Sequence, residues 1–168
     1  VGNWRTVYFA AEYYEFGIER DPACSGCVIA GDPEFSGWYV EGSWMLTGET
    51  KIYQANALNN GMATYVNPLV GTPFALDGGG WGAWEIAARY SDLDLNWEPG
   101  ARGTTCPVAG CVRGGEQKIF AIGLNWYMSD NIRFLFDYMF IHVDKLSGVG
   151  AQIGQDVSVV GTRFQFTN

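Results

Sequence analysis

The sequence is poor in charge and in basic residues, and it contains no long apolar run. Charged residues make up 17% of its 168 residues. A transmembrane helix needs about 18 consecutive apolar residues, and the sequence contains no such run, so a helical membrane span is excluded. Lys and Arg number 10 against 18 Asp and Glu, which gives a net charge of -8. Because nucleic-acid binding depends on clustered Lys and Arg at the phosphates, nucleic acid is not an expected partner.

Cysteine and histidine are also scarce. The four cysteines form two local pairs, Cys24 with Cys27 and Cys106 with Cys111, and the one histidine, His142, is distant from both in sequence. A zinc site would need further ligands near a pair, so loop-stapling disulfides in an oxidising compartment are favoured over metal. Whether the bonds form within pairs or between loops stays open. We expect no metal and no cofactor.

What the sequence does contain is aromatic residues at alternate positions. Aromatics make up 15% of the chain. Soluble β-sandwiches bury Val, Ile and Leu and carry dense outward charge, whereas an aromatic face opposite a sparsely charged one is typical of membrane β-barrels. The pattern predicts an all-β, antiparallel transmembrane β-barrel, and composition leaves open a secreted, aromatic-rich β protein. The apolar faces are formed by Trp84, Ile86, Ala88 and Tyr90, by Phe120, Ile122, Leu124 and Trp126, and by Phe134, Phe136, Tyr138 and Phe140.

Six strands are predicted within one domain that covers residues 1–168. They lie near residues 6–18, 37–47, 81–95, 117–128, 132–144 and 156–167, and a long inter-strand segment covers residues 48–80. Six strands are too few for a barrel in lipid, because the smallest have about eight and an open edge leaves backbone groups unsatisfied. Either the chain is the C-terminal part of a larger barrel or several copies close one together. We favour the first, which also fits an opening at Val1 without a leader.

Three separated motifs, at Gly37–Glu49, Gly79–Asn96 and Gly123–Arg133, are followed by the ending Val160–Phe166. In this order they resemble the C-terminal half of the phosphate-selective porin O and P family of Gram-negative outer membranes. The resemblance implies a usually trimeric barrel of about sixteen strands, of which this chain supplies the last six. It further implies passive diffusion of small anions, phosphate among them, and contact with the lipid bilayer and lipopolysaccharide. The chain departs from the pattern by finishing on Asn168 instead of an aromatic residue.

Charged and amide side chains on the less apolar faces are the candidate pore-lining residues. Guanidinium groups would guide anions through a wet constriction, and the alternative is that they pair with neighbouring carboxylates to hold the wall rigid. The mixture of signs does not support anion selectivity in this part of the chain, and Lys51 and Lys118 are weaker candidates. The pore-lining set is Arg89, Arg133, Arg163, Glu12, Glu41, Glu85, Asp137, Asn125 and Gln165.

Six large aromatic residues are candidates for the girdles that lie at headgroup level in membrane barrels. The alternative is packing between two sheets. They are Trp38, Trp44, Trp84, Trp126, Tyr90 and Tyr138.

Two functions from different classes remain open. The first is a porin, in which we hypothesise that segment 48–80 folds into or under the lumen and narrows the pore. The second is a structural barrel that anchors the outer membrane to a partner protein or surface layer within a larger envelope assembly. No catalytic residue is expected, because nothing around His142, Asp144 and Ser147 supplies a nucleophile elbow or an oxyanion hole.

Overall fold

A computed structural model describes residues 2–20, 31–55, 63–66 and 68–167. Seven antiparallel strands form one sheet in the order β1, β2, β3, β6, β7, β8, β9. The predicted fold class is confirmed, since the described residues are all-β and the sheet is open, with β1 and β9 at its edges. No helix among the described residues is long and apolar enough to cross a membrane. The sheet strands are β1 (Gly2–Trp4), β2 (Val7–Gly17), β3 (Glu34–Met45), β6 (Ala83–Trp97), β7 (Val112–Tyr127), β8 (Ile132–Asp144) and β9 (Asp156–Phe166).

The long strands follow one another as an antiparallel meander, because each pairs with the next long strand along the chain. The tightest connection joins β7 to β8, where Met128 donates its backbone N–H to the carbonyl of Ile132 at 2.9 Å. This turn and the segment between β3 and β6 lie at one end of the sheet, which we call the turn end. The loops between β6 and β7 and between β8 and β9 lie at the other end, the loop end.

The register places the side chains on two unlike faces, because residues directly opposite on paired strands share a face. Trp44, Ile86, Leu124, Phe136 and Thr162 are successive cross-strand partners on one side, which we call the aromatic face. The other side carries most of the strand charge away from the loop end, and we call it the charged face. Large hydrophobic side chains of the aromatic face are exposed, as Phe9, Trp44 and Phe164 illustrate.

Strand β1 is not among the six strands that the sequence predicts, and two of those six begin three or more residues earlier than predicted. β7 begins at Val112 instead of near residue 117, and β3 begins at Glu34 instead of near residue 37. The register shifts between Asp94 and Asn96, opposite Gly114, where an added Cβ would lie 2.4 Å from the carbonyl oxygen of Leu95. Such an irregularity breaks the period of two and hides the continuation of the strand.

Segment 48–80 contains a small hairpin that alternation does not predict. Strands β4 (Ile52–Ala55) and β5 (Ala63–Val66) pair antiparallel as a separate two-stranded sheet. Residues 56–62 and 67 of the segment, and Cys24 and Cys27 elsewhere in the chain, lie outside the described residues.

Segment 48–80, which we call the covering segment, closes the turn end of the main sheet with its C-terminal part. Val70 is buried together with Met45, Ala83 and Tyr127. Its backbone N–H donates to Oδ1 of Asp130 at 2.8 Å. Because Met45 and Tyr127 point to the charged face, Val70 covers that face at the turn end.

Candidate functional site

All nine residues of the predicted pore-lining set lie on the charged face. Glu41 is opposite Arg89, Glu85 is opposite Asn125, and Arg133 is opposite Gln165. Glu12 lies on the same face, because its partner Tyr39 is two residues from Glu41 on β3. Asp137 and Arg163 are likewise an even number of residues from Arg133 and Gln165 on β8 and β9. The structure therefore brings together the side chains that alternation alone assigns to one face.

The most buried part of this face is a cluster around the carboxylate of Glu85, which has no exposed surface. Oε2 of Glu85 accepts hydrogen bonds from Nδ2 of Asn125 at 3.0 Å and from the hydroxyl of Tyr127 at 2.7 Å. The ammonium of Lys51 lies 2.5 Å from Oε1 of Glu85. Since a buried charge is costly unless it is paired and hydrogen-bonded, these three partners make the burial of Glu85 tolerable.

Lys51 shows that the N-terminal part of segment 48–80 also lies on the charged face. Its ammonium is 4.9 Å from the centre of the Tyr8 ring, and its carbonyl accepts a hydrogen bond from Nδ2 of Asn3 at 2.8 Å. Lys51 and Val70, which lie before β4 and after β5, thus both contact the charged face. Sequence reasoning ranks Lys51 below the arginines, because no local pattern indicates a partner 34 positions away in sequence.

A second, more open ion pair lies closer to the loop end. Nη1 of Arg89 is 3.3 Å from Oε2 of Glu41, and the side chains are 50% and 26% exposed. Oε1 of Glu41 accepts a hydrogen bond from the hydroxyl of Tyr8 at 2.8 Å. The guanidinium of Arg89 also stacks over the ring of Tyr39 at 4.0 Å. Arg89 keeps half its surface free for contact with a solute, although its charge is partly balanced.

The three arginines differ in how they are held. Arg89 pairs with a carboxylate, whereas Arg133 donates two hydrogen bonds to Oε1 of the neutral Gln165, at 3.0 Å and 2.7 Å. Arg163 is exposed and makes no ion pair with a described residue. Pairing with a neighbouring carboxylate is thus seen at Arg89, whose partner is Glu41.

The predicted girdle aromatics all lie on the aromatic face, and four of them form two ring pairs. At the turn end Trp84 and Trp126 stack with ring centres 5.2 Å apart. Both indole N–H groups donate to the carbonyl of Trp81, at 3.2 Å and 2.8 Å. Towards the loop end Trp38 and Tyr90 pack at 5.4 Å.

The positions of Trp44 and Tyr138 complete the set. Trp44 lies opposite Ile86 near the turn end. Tyr138 lies in the middle of β8 and donates its hydroxyl to Oγ of Ser158 at 3.2 Å, so it does not occupy an end position.

The two loops at the loop end are tied together by Arg113, a residue that the sequence gives no reason to single out. Its guanidinium donates to the carbonyls of Pro99, Ser147 and Thr104, at 2.7, 2.7 and 2.8 Å. Cys106 and Cys111 form a disulfide within one loop. This result decides the connectivity of that pair, which the sequence leaves open.

His142 lies on the aromatic side of β8 near the loop end. Its Nδ1 is 2.5 Å from Oδ1 of Asp156 on β9, so its described carboxylate partner is Asp156 and not Asp144. Lys118, its cross-strand neighbour on β7, is paired with Glu116 at 2.8 Å. Polar groups thus end the apolar part of this face.

Comparison with known proteins gives a family match over nearly the whole chain. The sequence model of the family described as phosphate-selective porin O and P matches residues 6–167. A protein of Caulobacter vibrioides (strain ATCC 19089 / CIP 103742 / CB 15), described as an uncharacterized protein, is 35% identical over 106 residues. The alignment covers 63% of this chain and 17% of the relative, so the chain spans less than a fifth of that curated relative.

The cluster around Glu85 predicts unequal effects of two matched substitutions on the charged face. We expect Glu85→Gln to lower the free energy of unfolding by about 1–3 kcal/mol, because Lys51 loses a buried partner. Glu41→Gln is the control, and the exposure of its ion pair limits the expected loss to about 0–1 kcal/mol. Urea unfolding of the refolded protein in liposomes, followed by tryptophan fluorescence, measures both. Equal losses would contradict the role given to Glu85.

Proposed function

The chain belongs to the phosphate-selective porin O and P family, and on that premise we propose that it forms part of the wall of an outer-membrane diffusion channel. In this proposal the charged face lines a wet lumen and the aromatic face contacts lipid. Small solutes and ions pass by diffusion through a barrel that the rest of the wall completes. The channel assembles as a homotrimer and contacts lipopolysaccharide at the loop end.

The separation of the two faces is the observation that carries this proposal. On β7, Leu124, Ile122 and Phe120 of the aromatic face lie between Trp126 and Lys118. At about 3.4 Å per residue and a tilt near 40°, this stretch is roughly 20 Å tall. An apolar band of about 25 Å flanked by aromatic girdles is what the hydrocarbon region of an outer membrane requires. A soluble sheet with so many exposed aromatic side chains would aggregate or bind a partner.

The charged face carries equal numbers of cationic and anionic side chains, so its net charge gives no preference for anions. The described strands of the main sheet, together with Lys51, place four cationic and four anionic side chains on this face. The four cations are Lys51, Arg89, Arg133 and Arg163, and the four anions are Glu12, Glu41, Glu85 and Asp137. We therefore assign any preference for phosphate to basic residues outside this wall, and we give this wall the role of a charge-balanced surface.

Segment 48–80 narrows the lumen in this proposal. Lys51 and Val70 hold it against the charged face at two points, Lys51 through a buried ion pair and Val70 through an apolar contact. A segment held on the inner surface of a barrel reduces the cross-section that water and ions can use.

Single-channel recording of the native, detergent-extracted protein in a planar bilayer tests the channel. We expect stable current steps under a KCl gradient. Replacing chloride with phosphate then reports the selectivity of the whole pore, for which the reversal potential is the measured quantity. Silence from a correctly folded trimer would contradict the channel and favour the anchoring function.

The assignment of the faces is tested by two neighbouring residues of β8. Phe136 lies on the aromatic face and Leu135 on the charged face, opposite Asn125 and Arg163. We expect Phe136→Lys to lower the free energy of unfolding in a bilayer by up to about 2–4 kcal/mol, because it places an ammonium group in lipid. Leu135→Lys should cost less, because its ammonium group stays in the water of the lumen. Urea unfolding in liposomes measures both. A larger loss for Leu135→Lys would reverse the assignment of the faces.

The covering segment is tested by deleting residues 55–73. We expect the single-channel conductance to rise, because the deletion removes Val70 and the chain that joins it to Lys51. Electrophoresis of an unheated sample checks that the variant is folded, because a folded trimer then runs as a trimer band. An unchanged conductance in a folded trimer would show that the segment does not narrow the pore.

A further inference from the structure

We propose that the charged face holds a binding subsite for the primary ammonium group of a small organic solute, centred on the carboxylate of Asp137. The inference rests on the proposed channel function, since the subsite faces the lumen. It extends that function to a class of solute opposite in charge to phosphate.

The subsite is a pocket of about 210 Å³ on the charged face. Its polar lining comes from four strands and from the covering segment, and its floor is made of small residues such as Ala87 and Gly123. The small residues leave a depression between the two ion pairs of this face. The charged lining residues are Glu41, Lys51, Arg89 and Asp137.

Glycine on the neighbouring strand allows the carboxylate of Asp137 to lie over the floor of this pocket. Gly123 is the cross-strand partner of Asp137 on β7, and Gly161 is its partner on β9. A Cβ added at residue 123 would lie 2.5 Å from Oδ1 of Asp137. The carboxylate therefore occupies space that any other residue at this position would fill.

Asp137 is the carboxylate of the pocket that makes no ion pair or side-chain hydrogen bond with a described residue. Arg163 is diagonal to it across β8 and β9, but its guanidinium neither pairs with the carboxylate nor lines the pocket. Lys51 is paired with Glu85 and Arg89 with Glu41. Both cations that line the pocket are therefore neutralised by their partners. The charge of Asp137 is left uncompensated, and it attracts a cation.

The donor set favours an ammonium group over a metal ion. Hard inorganic cations take several oxygen ligands at once, and no group of three or more His, Cys, Asp or Glu in the described parts of the chain is placed to hold one. A primary ammonium has three N–H donors, so a single carboxylate can bind it directionally with a charge-assisted hydrogen bond. The half-exposed guanidinium of Arg89 can donate to a hydroxyl or carboxylate at the other end of the same solute.

Ethanolamine and choline distinguish this subsite from simple attraction of charge. Both are monocations with a hydroxyl, but choline has no N–H donor on its quaternary nitrogen. We expect ethanolamine to reduce the current of the native channel at concentrations about tenfold or more lower than choline requires. The reason is that ethanolamine can form a charge-assisted hydrogen bond with Asp137, whereas choline cannot. Isothermal titration calorimetry of both amines with the detergent-extracted native protein measures the same affinities without a conductance readout.

Substitutions then locate the effect. Asp137→Asn should weaken ethanolamine binding by about tenfold or more and remove the difference from choline. Gly123→Ala keeps the charge but displaces the carboxylate, and it should weaken binding as well. Asp144→Asn is the control, because Asp144 is on the same strand but on the side that faces away from the pocket, and it should change nothing.

The outcomes separate the subsite from the channel. Steady current without added amine establishes the channel whatever the amines do. Equal affinity for ethanolamine and choline, or ethanolamine binding unchanged in folded Asp137→Asn and Gly123→Ala variants, would overturn the subsite. A silent protein that binds ethanolamine through Asp137 in calorimetry would support the subsite and contradict the channel.

Discussion

The carboxylate of Glu85 is the group on which the arrangement of the charged face depends. It has no exposed surface, and its charge is balanced by Lys51 and supported by Asn125 and Tyr127. An unpaired buried charge would cost several kcal/mol, so the segment that carries Lys51 must stay on this face for Glu85 to stay ionised there. Val70 covers the apolar neighbours Met45 and Tyr127. Electrostatics and burial thus hold the same segment at two points.

The aromatic face meets a different demand, because its surroundings in the proposed channel offer no water to backbone groups. At the turn end the carbonyl of Trp81 accepts hydrogen bonds from Trp84 and Trp126, and the ring of Phe74 packs edge-on against Trp126 at 5.1 Å. The backbone carbonyl of Trp81, just before β6, is therefore hydrogen-bonded by two indole groups. An indole ring is polar at its N–H edge and apolar elsewhere. Such groups suit the boundary between lipid and water.

A period of two was enough to predict the fold class and the face of each candidate residue, because alternation is a local property of a strand. Alternation fails where glycine and a register shift interrupt the strand, so it places the start of β7 near residue 117 instead of at Val112. It also could not rank Lys51 or find Arg113, since both act on groups distant in sequence. Tyr138 shows a third limit: its face follows from alternation, but its height along β8 depends on the strand boundaries.

The balance of charges on the inner face matters less than which charges are already satisfied within the wall. Glu85 and Lys51, and Glu41 and Arg89, are paired at short range, so their fields largely cancel a few ångströms away. Asp137 and Arg163 have no such partner among the described residues, and they lie on adjacent strands. A solute that moves along β8 and β9 therefore meets the open carboxylate of Asp137 and the open guanidinium of Arg163 in succession. That order of opposite charges suits solutes that carry both signs, because each end finds its own counter-charge, whereas a bare anion is attracted at Arg163 and repelled at Asp137.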